Sequence, residues 1–200
     1  MKQVLVLGAT GETGKIVVEQ LKECTEVKQT IYVRNIGKLT EEVKETVQVL
    51  EGDVLDTDRL NKAMKNKDIV VACLNGELLP QAESIVKAMK SSDVKRVIWL
   101  TGLGIHHEVP GETGKMLDSY VSRFPEYVKA ADTIVDSGVP YTLVRAAHLV
   151  DGDEMEYHLT KEGEEIRNEV VTKCAVAKFI YDMIVDCNEL GKNDSIGITN

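Results

Sequence analysis

Apolar residues follow two spacings along this chain. Short runs of β-forming residues alternate with longer segments whose apolar residues recur every three or four positions, on one helical face. The runs predict strands at 4–7, 31–33, 47–50, 69–74, 94–100, 141–144 and 195–198. The longer segments predict helices at 14–24, 57–65 (N-cap Asp56 or Thr57), 77–90, 172–186 and one ending near Ser137–Gly138. This alternation indicates parallel strands joined by right-handed crossovers, so we expect one α/β domain, 1–200, with a doubly wound parallel sheet.

One late segment departs from this alternation. Residues 156–167 are mostly polar, and Gly163 among them tolerates positive φ. We expect a small hairpin that turns at Gly163. Together with helix 172–186, this hairpin is expected to form the substrate side of the domain.

The first strand runs directly into three glycines, Gly8, Gly11 and Gly14, and then into a helix. In such a strand–turn–helix unit each glycine has a physical task. The first permits a sharp turn, the second lets a pyrophosphate approach the backbone, and the third lets the helix pack closely on the strand. The unpaired N–H groups of the first helical turn then face the phosphates. The pattern predicts a dinucleotide-binding turn of the Rossmann type.

Two other interpretations compete with the dinucleotide turn. A P-loop, GxxxxGK[ST], would need glycine at position 9 and serine or threonine at position 16, where the chain has Ala9 and Ile16. The P-loop interpretation therefore fails at both positions. The glycines could also serve a tight turn alone, an alternative that the flanking strand and helix disfavour.

The letters GETGK, which end the glycine turn, return at 111–115. This second copy follows a loop that contains His106 and His107, and no strand precedes it directly. We expect it to begin a helix or a lid near the site, and not to hold the pyrophosphate.

The second strand bears on the choice between NAD and NADP. An acidic residue about 20 positions past the glycines would bind the ribose 2′-hydroxyl, and none stands there. The strand ends instead in Arg34, with Lys38 four residues on. A guanidinium can hold a phosphate through two parallel N–H bonds. NADP(H) is therefore favoured, and the competing interpretation is a surface arginine without a ligand.

Further motifs resemble those of a known family. GATGETG (8–14), VRN (33–35), EGDVLD (51–56), CLNG (73–76), KRVIWLTG (95–102) and SGVPYTLVR (137–145) resemble motifs of the atypical short-chain dehydrogenase/reductases, the NAD(P)H-binding, NmrA-like group. The resemblance covers nearly the whole chain, and among small members the layout is similar to biliverdin-IXβ reductase/flavin reductase. One departure is Ala146, where the family usually has proline.

The resemblance implies a cofactor site of the family's kind. It implies that Asp53 and Val54 flank the adenine and that Thr101 lies beside the nicotinamide. With the residues of the glycine turn and the second strand, the expected cofactor-binding set is Gly8, Thr10, Gly11, Glu12, Thr13, Gly14, Arg34, Asn35, Lys38, Asp53, Val54, Leu74, Asn75, Gly76, Thr101 and Gly102.

The tyrosine–lysine pair of the standard short-chain dehydrogenases is missing from the expected helix. Those enzymes place the two residues four apart on one helical face, where the lysine lowers the tyrosine pKa for proton transfer. Here Tyr120 and Tyr127 are each followed four positions on by an apolar residue. Tyr157 and Lys161 have the spacing, but they fall in the predicted hairpin, where residues four apart do not share a helical turn.

Thr101, Tyr120 and His148 are the candidate catalytic residues. Thr101 ends a central strand, at the edge where open α/β sheets bind ligands, although a hydroxyl bonded only to backbone is an equal alternative. His148 follows the sixth strand at the same edge, and for it and the loop histidines His106 and His107 a structural role is the stronger alternative. Reduction of a flavin would need no protein proton donor, because solvent can supply the proton.

Charge, apolar run length and cysteine spacing argue against nucleic-acid, membrane and metal partners. The 24 Lys and Arg against 33 Asp and Glu give a formal net charge of −9, which argues against direct nucleic-acid binding because phosphate contacts need clustered cations. No apolar run approaches the roughly 18 to 20 residues of a membrane span, and the N-terminus lacks the order of a signal peptide. The four cysteines have no metal-ligand spacing, so we expect no metal and reduced thiols in a cytoplasmic protein; they are Cys24, Cys73, Cys174 and Cys187.

Two functions from different classes remain. The first is an NADPH-dependent oxidoreductase that reduces a small planar acceptor such as a flavin, quinone or tetrapyrrole, favoured by the cofactor site and the short chain. The second is a non-catalytic, NmrA-like regulator that senses NADP(H) and binds a protein partner, favoured by the missing tyrosine–lysine pair. The enzyme is the preferred hypothesis. A homo-oligomer is an open alternative to a monomer.

Overall fold

The computed structural model describes residues 1–166, 168–185 and 191–200. Its strands are β1 Lys2–Leu7, β2 Val27–Val33, β3 Gln48–Glu51, β4 Ile69–Ala72, β5 Arg96–Gly102, β6 Tyr141–Ala146, β7 His148–Val150, β8 His158–Thr160, β9 Val170–Thr172 and β10 Asp194–Thr199. Eight of them form one sheet in the order β3-β2-β1-β4-β5-β6-β10-β8. Among the described residues, β8 is the one strand of this sheet that runs antiparallel to its neighbour. Strands β7 and β9 pair in a second, two-stranded sheet.

Helices cover both faces of the large sheet. They are α1 Glu12–Lys22, a 3₁₀ turn at Ile36–Lys38, α2 Glu41–Thr46, α3 Thr57–Met64, α4 Leu78–Lys90, α5 Gly111–Arg123, α6 Glu126–Asp136 and α7 Lys173–Val185. Successive residues of β1 point to opposite faces: Val4 and Val6 pack in the core with α1 and α7, whereas Leu5 and Leu7 pack in the core with α3, α4 and α6. The predicted doubly wound α/β fold is confirmed.

The order of the strands places a crevice beside β1. Leu7, the last residue of β1, is in register with Tyr32 of β2 on one side and with Ala72 of β4 on the other. The chain therefore runs outward from β1 in one direction first and in the opposite direction later. Open α/β sheets bind ligands at the carboxyl ends of the strands at such a switch point.

Several helices differ from the prediction. The helix expected to end near Ser137 is two helices, α5 and α6, because the backbone before Pro125 is pushed out of the helical region and Phe124 adopts φ −126° and ψ 65°. The second GETGK begins α5, one of its two expected roles. Asp56 is the N-cap of α3, where its Oδ1 accepts the Arg59 N–H at 3.1 Å. The short helix α2 was not predicted, since a single apolar residue on it packs against the core.

The predicted hairpin over 156–167 is wrong. Gly163 does turn, with φ +81°, but β8 pairs antiparallel with β10, placing Thr160 opposite Gly197. The backbone edge of β10 that β6 leaves open accepts β8, so this segment completes the large sheet and does not pair with its own return. Residues 167 and 186–190, which include Cys187 and the predicted end of the last helix, lie outside the described residues.

Candidate functional site

The three glycines after β1 form a turn in which side chains have no room at two positions. Gly8 has φ +76°, and a Cβ there would stand 2.0 Å from the Cys73 carbonyl oxygen. A Cβ on Gly14 would stand 2.2 Å from the Gly8 carbonyl oxygen. Because both neighbours are backbone, these glycines allow β4 and α1 to lie against the end of β1. A hydrogen bond of 2.9 Å from the Gly11 N–H to the Gly8 carbonyl closes the turn.

Gly11 is the N-cap of α1 and has no side chain to cap the helix. A Cβ there would meet only the Gly8 carbonyl oxygen, at 3.2 Å, and the Cys73 carbonyl oxygen, at 3.9 Å. Thr10, Gly11 and Glu12 are exposed. The first-turn N–H groups and the positive end of the helix dipole thus face an open cradle, which fits a pyrophosphate.

A lysine neutralises the carboxylate nearest to this cradle. The Lys173 ammonium lies 2.6 Å from Glu12 and 2.8 Å from Asp151. Hydrogen bonds to Asp151 and to Glu12 raise the pKa of Lys173. The pairing offsets the repulsion that a free Glu12 carboxylate would exert on a phosphate.

The residues predicted to choose the nucleotide follow β2. Arg34, Asn35 and Lys38 are all exposed. The Asn35 Oδ1 accepts the Gly37 N–H at 2.8 Å, which starts the 3₁₀ turn carrying Lys38. The arginine and the lysine therefore stand on one short segment at the carboxyl end of the strand.

The segment after β3 folds beside the same strand end. The Gly52 N–H donates to the Val33 carbonyl at 2.9 Å, and the Tyr32 hydroxyl donates to the Asp53 carbonyl at 3.1 Å. Val54 is buried. The structure thus brings Asp53 and Val54 next to the end of β2, as an adenine site would require.

A cavity of about 1050 Å³ opens at the carboxyl ends of the central strands. It extends from the glycine turn, past the ends of β4 and β5, to α5 and α6. Its lining is Gly11, Glu12, Thr13, Cys73, Leu74, Asn75, Leu100, Thr101, Gly102, Leu103, Thr113, Met116, Leu117, Tyr120, Tyr127, Ala146, Ala147, His148, Leu149, Ile166, Glu169 and Val170. Its volume lies just above the range of ordinary ligand pockets, roughly 300 to 1000 Å³.

The cavity brings together half of the predicted site. The predicted residues that line it are Gly11, Glu12, Thr13, Leu74, Asn75, Thr101, Gly102, Tyr120 and His148. Those outside its lining are Gly8, Thr10, Gly14, Arg34, Asn35, Lys38, Asp53, Val54 and Gly76. The second set comprises the supports of the turn, the β2–β3 side expected to hold the adenine half, and Gly76, which has φ +95°.

Thr101 lies where the cavity crosses the end of β5. The residue is 8% exposed, and its Oγ1 is buried with no hydrogen-bond partner among the described residues. The alternative that this hydroxyl bonds backbone is therefore not what the structure has. A buried polar atom without a partner costs free energy, and Thr101 is one of the residues that line the cavity.

Tyr120 and His148, the other catalytic candidates, also line the cavity and are both exposed. His148 is fixed through its backbone, whose N–H donates to the Glu169 carbonyl at 3.0 Å. Tyr157, by contrast, lies outside any helix, and its hydroxyl donates to Asp182 at 2.8 Å. The rejection of the Tyr157–Lys161 pair therefore holds.

Comparison with known proteins identifies the family. A sequence model of the NAD(P)H-binding family matches residues 8–186. The chain belongs to this NAD(P)H-binding family. A Rossmann-fold NAD(P)-binding family protein from Shigella flexneri is 38% identical, covers 100% of this chain and 94% of its own, and superposes with a TM-score of 0.83. A short-chain dehydrogenase/reductase from Veillonella parvula, in complex with NADP, is 27% identical with the same coverage and a TM-score of 0.90.

The curated relatives are longer proteins. Quinone oxidoreductase 2 from Escherichia coli strain K12 is 25% identical over 146 residues, which cover 71% of this chain and 47% of that protein. The chain spans about half the length of the curated relatives it matches. The family resemblance and the NAD(P)H class of cofactor, both predicted from the sequence, are confirmed. The preference for NADP(H) over NAD(H) stays a prediction. The NmrA-like subgroup and the roles of individual site residues stay predictions.

Cys73 contributes to both the glycine turn and the cavity of the candidate site. Its carbonyl lies against Gly8, and the residue lines the cavity. Burial raises the pKa of its thiol to about 12, so the thiol stays protonated at neutral pH and is a poor nucleophile. Cys24 and Cys174 are also free thiols.

Sequence reasoning missed much of the far wall of the cavity. Thr113, Met116 and Leu117 come from α5, and Glu169 comes from the segment before β9. The Thr113 hydroxyl donates to the Glu169 carboxylate across the cavity. Met116 and Tyr120 stand four residues apart on a largely polar helix, a spacing that could have indicated an apolar face. The contact between Thr113 and Glu169 could not have been predicted, because the two residues are far apart in the sequence.

The loop between β5 and α5 is fixed by His106. The His106 ring contacts Glu162 at 2.9 Å and Asp132 at 3.1 Å. Burial alone would lower the pKa of His106, but the hydrogen bonds and charges of these two carboxylates outweigh it, and the pKa is raised. Its role is therefore structural, as expected for a loop histidine.

The described residues hold neither a membrane-spanning helix nor a cluster of metal ligands. No helix there is long and apolar enough to cross a membrane. Within the same residues, no group of three or more His, Cys, Asp or Glu side chains is arranged to hold a metal ion.

Proposed function

We propose that this protein is an NADPH-dependent oxidoreductase that reduces a small planar acceptor such as a quinone, a flavin or a tetrapyrrole. The observation that carries the proposal is the single cavity that joins the glycine turn to the aromatic side chains of α5 and α6, with the unpartnered Thr101 hydroxyl between them. A volume of about 1050 Å³ leaves room for an acceptor beside the nicotinamide end of a cofactor.

The cofactor is assigned along the carboxyl edge of the sheet. The turn at Gly11 to Gly14 would bind the pyrophosphate, and Asp53 and Val54 would flank the adenine. Arg34 and Lys38 would bind the 2′-phosphate, because two exposed cations stand on one segment at the end of β2.

Three side chains along the cavity would hold the acceptor and supply protons. Bound NADPH would supply a hydride. Thr101 would hold the acceptor or the carboxamide through its free hydroxyl, and Tyr120 and His148 carry the exchangeable protons nearest the open side. For a flavin acceptor, solvent can deliver the proton at this open side.

The comparisons support the same activity. The family model describes NAD(P)H binding, a similar structure is in complex with NADP, and a curated relative is a quinone oxidoreductase. The small-molecule substrate and the cytoplasmic location belong to the proposal.

An acceptor screen tests the proposal. NADPH oxidation is followed by its absorbance with menadione, FMN, riboflavin and biliverdin in turn, with NADH in place of NADPH as the cofactor control. Turnover that saturates with at least one acceptor and prefers NADPH is the expected result. Tight NADPH binding without turnover on any acceptor would contradict it and would favour a non-catalytic NADP(H) sensor with a protein partner.

A further inference from the structure

One face of α5 exposes large apolar side chains next to the cavity. Met116, Tyr120 and Phe124 are 61%, 50% and 43% exposed. Their spacing of four residues places them on one side of the helix. Exposed apolar residues are normally scattered singly over a surface, and a contiguous group marks a binding site.

Tyrosine and phenylalanine rings on this face form a cluster centred on Tyr120. The Tyr120 ring lies 4.8 Å from the Phe124 ring and 6.1 Å from the Tyr127 ring, tilted by 46° and 58°. Tyr127 comes from α6, so the break at Phe124–Pro125 is what brings the second tyrosine beside the first. These distances are typical of mutually stabilised aromatic pairs.

The cluster is continuous with the proposed acceptor space. Met116, Tyr120 and Tyr127 line the same cavity as Thr101 and Gly102 at the end of β5. The face therefore continues the wall of the site and is not a separate surface.

Close packing holds α5 in place as this wall. A Cβ on Gly114 would stand 1.8 Å from the Val109 carbonyl oxygen, and a Cβ on Gly104 would stand 2.6 Å from the Leu117 Cβ. The loop after β5 thus lies directly against the helix at two points. The second GETGK serves this packing, because its Gly114 is the residue that permits the contact.

We infer that Tyr120, Tyr127 and Met116 form the acceptor subsite and bind a fused aromatic ring system, an isoalloxazine or a naphthoquinone, by stacking. The inference rests on the proposed function and assigns its acceptor a place and a ring class. A flat ring placed here would stack on the exposed Tyr120 and the half-buried Tyr127, in the cavity that Thr101 also lines.

Riboflavin binding in the presence of NADP⁺ tests the subsite without turnover. Quenching of riboflavin fluorescence gives the dissociation constant for the wild type, for Tyr120→Leu, which keeps apolar bulk but loses the ring, and for Tyr120→Phe, which keeps the ring. Tyr120→Leu should weaken binding about five- to tenfold, and Tyr120→Phe by less than about twofold. Met155→Leu, at an exposed apolar residue outside the cavity lining, should change nothing.

Two results would overturn the subsite. One is a dissociation constant that is equal in the wild type and in Tyr120→Leu, or no quenching by the wild type at all. The other is light scattering that gives a dimer for the wild type and a monomer for Tyr120→Leu, since the face would then be a contact between copies. Circular dichroism checks that each variant is folded. Failure of the subsite would leave turnover with quinones untouched, so the two proposals are separable.

Discussion

The Arg145 guanidinium donates a hydrogen bond to the Glu108 carboxylate, joining β6 to the loop after β5. The two side chains are 1% and 4% exposed. Glu108 also accepts the backbone N–H groups of Gly104, at 2.8 Å, and His106, at 3.0 Å. This one carboxylate therefore sets the path of the loop that delivers α5 to the cavity.

Removing the carboxylate should destabilise the protein strongly. Glu108→Ala leaves the buried Arg145 charge with the more distant, partly exposed Glu162 carboxylate, 3.8 Å from its Nε, as its remaining counter-charge among the described residues, and it frees two loop N–H groups. We expect a loss of about 3 to 5 kcal/mol in the free energy of unfolding, measured by urea denaturation. Glu112→Ala is the matched control, since this glutamate is 90% exposed and forms a surface ion pair with Lys115; it should cost less than about 1 kcal/mol. Similar losses for both variants would show that the buried pair is not structural.

Within the glycine turn, a substitution at Gly11 should affect NADPH binding, whereas a substitution at Gly14 should affect the stability of the fold. Gly11→Val should abolish NADPH binding with little loss of stability, because the residue has ordinary φ and its Cβ would occupy the phosphate cradle. Gly14→Ala should destabilise the fold, because its Cβ would stand 2.2 Å from the Gly8 carbonyl oxygen. Calorimetric titration and thermal unfolding separate the two effects. Normal NADPH binding by Gly11→Val would disprove the cradle.

Arg34 should control the preference for NADPH over NADH. Arg34→Ala removes charge-assisted bonds worth about 1.5 to 3 kcal/mol, roughly a ten- to hundredfold loss of NADPH affinity. NADH has no phosphate there, so its affinity should barely move. Added salt should weaken NADPH binding to the wild type more than to the variant. Combining the change with Lys38→Ala removes partial compensation, and equal losses for both cofactors would mean that Arg34 only shapes the site.

His106 should make stability depend on pH. Its pKa in the folded state is raised above the ordinary value of 6.5 by Glu162 and Asp132, against the opposing effect of burial. The protonated ring therefore stabilises the fold fully below pH 6.5, and this contribution is lost as the pH rises through the raised value.

The comparison of two adjacent histidines measures this effect. The difference in unfolding free energy between the wild type and His106→Gln should be largest below pH 6.5 and should shrink as the pH rises above it. His107→Gln is the control, because His107 is 64% exposed and contacts only the surface carboxylate Asp118 among the described acids. A pH-independent difference for His106→Gln would contradict the assignment.

The sequence predicted those elements that depend on neighbouring residues alone, namely the strands of the parallel sheet and the glycine turn. The central parallel strands β1, β4 and β5 are short, mostly buried apolar runs. The turn at Gly8 to Gly14 is recognisable because close backbone contacts there leave room only for glycine at Gly8 and Gly14. The pairings of β8 with β10 and of β7 with β9 were not predictable, because each joins segments about 20 or more residues apart through backbone bonds that any sequence can make.

The candidate site likewise has a part that the sequence predicted and a part that it did not. Residues at or just beyond the carboxyl ends of strands, such as Thr101 and Asn75, were placed at the correct edge, since parallel strands bring these ends together. The wall formed by α5 and Glu169 depends on how the loop after β5 and the segment before β9 fold back over the sheet. Buried contacts such as Glu108 with Arg145 decide that path, and neither residue signals its partner in the sequence.

The central claim is that the cavity supports hydride transfer from NADPH to a planar acceptor. The most direct measurement is anaerobic stoichiometry: NADPH consumed against menadione reduced, for the wild type and for Gly11→Val. We predict one menadione reduced for each NADPH oxidised by the wild type, and no enzyme-dependent reduction by the variant. Tight binding of NADPH to the wild type, with no reduction of menadione, flavin or bilin, would contradict the account.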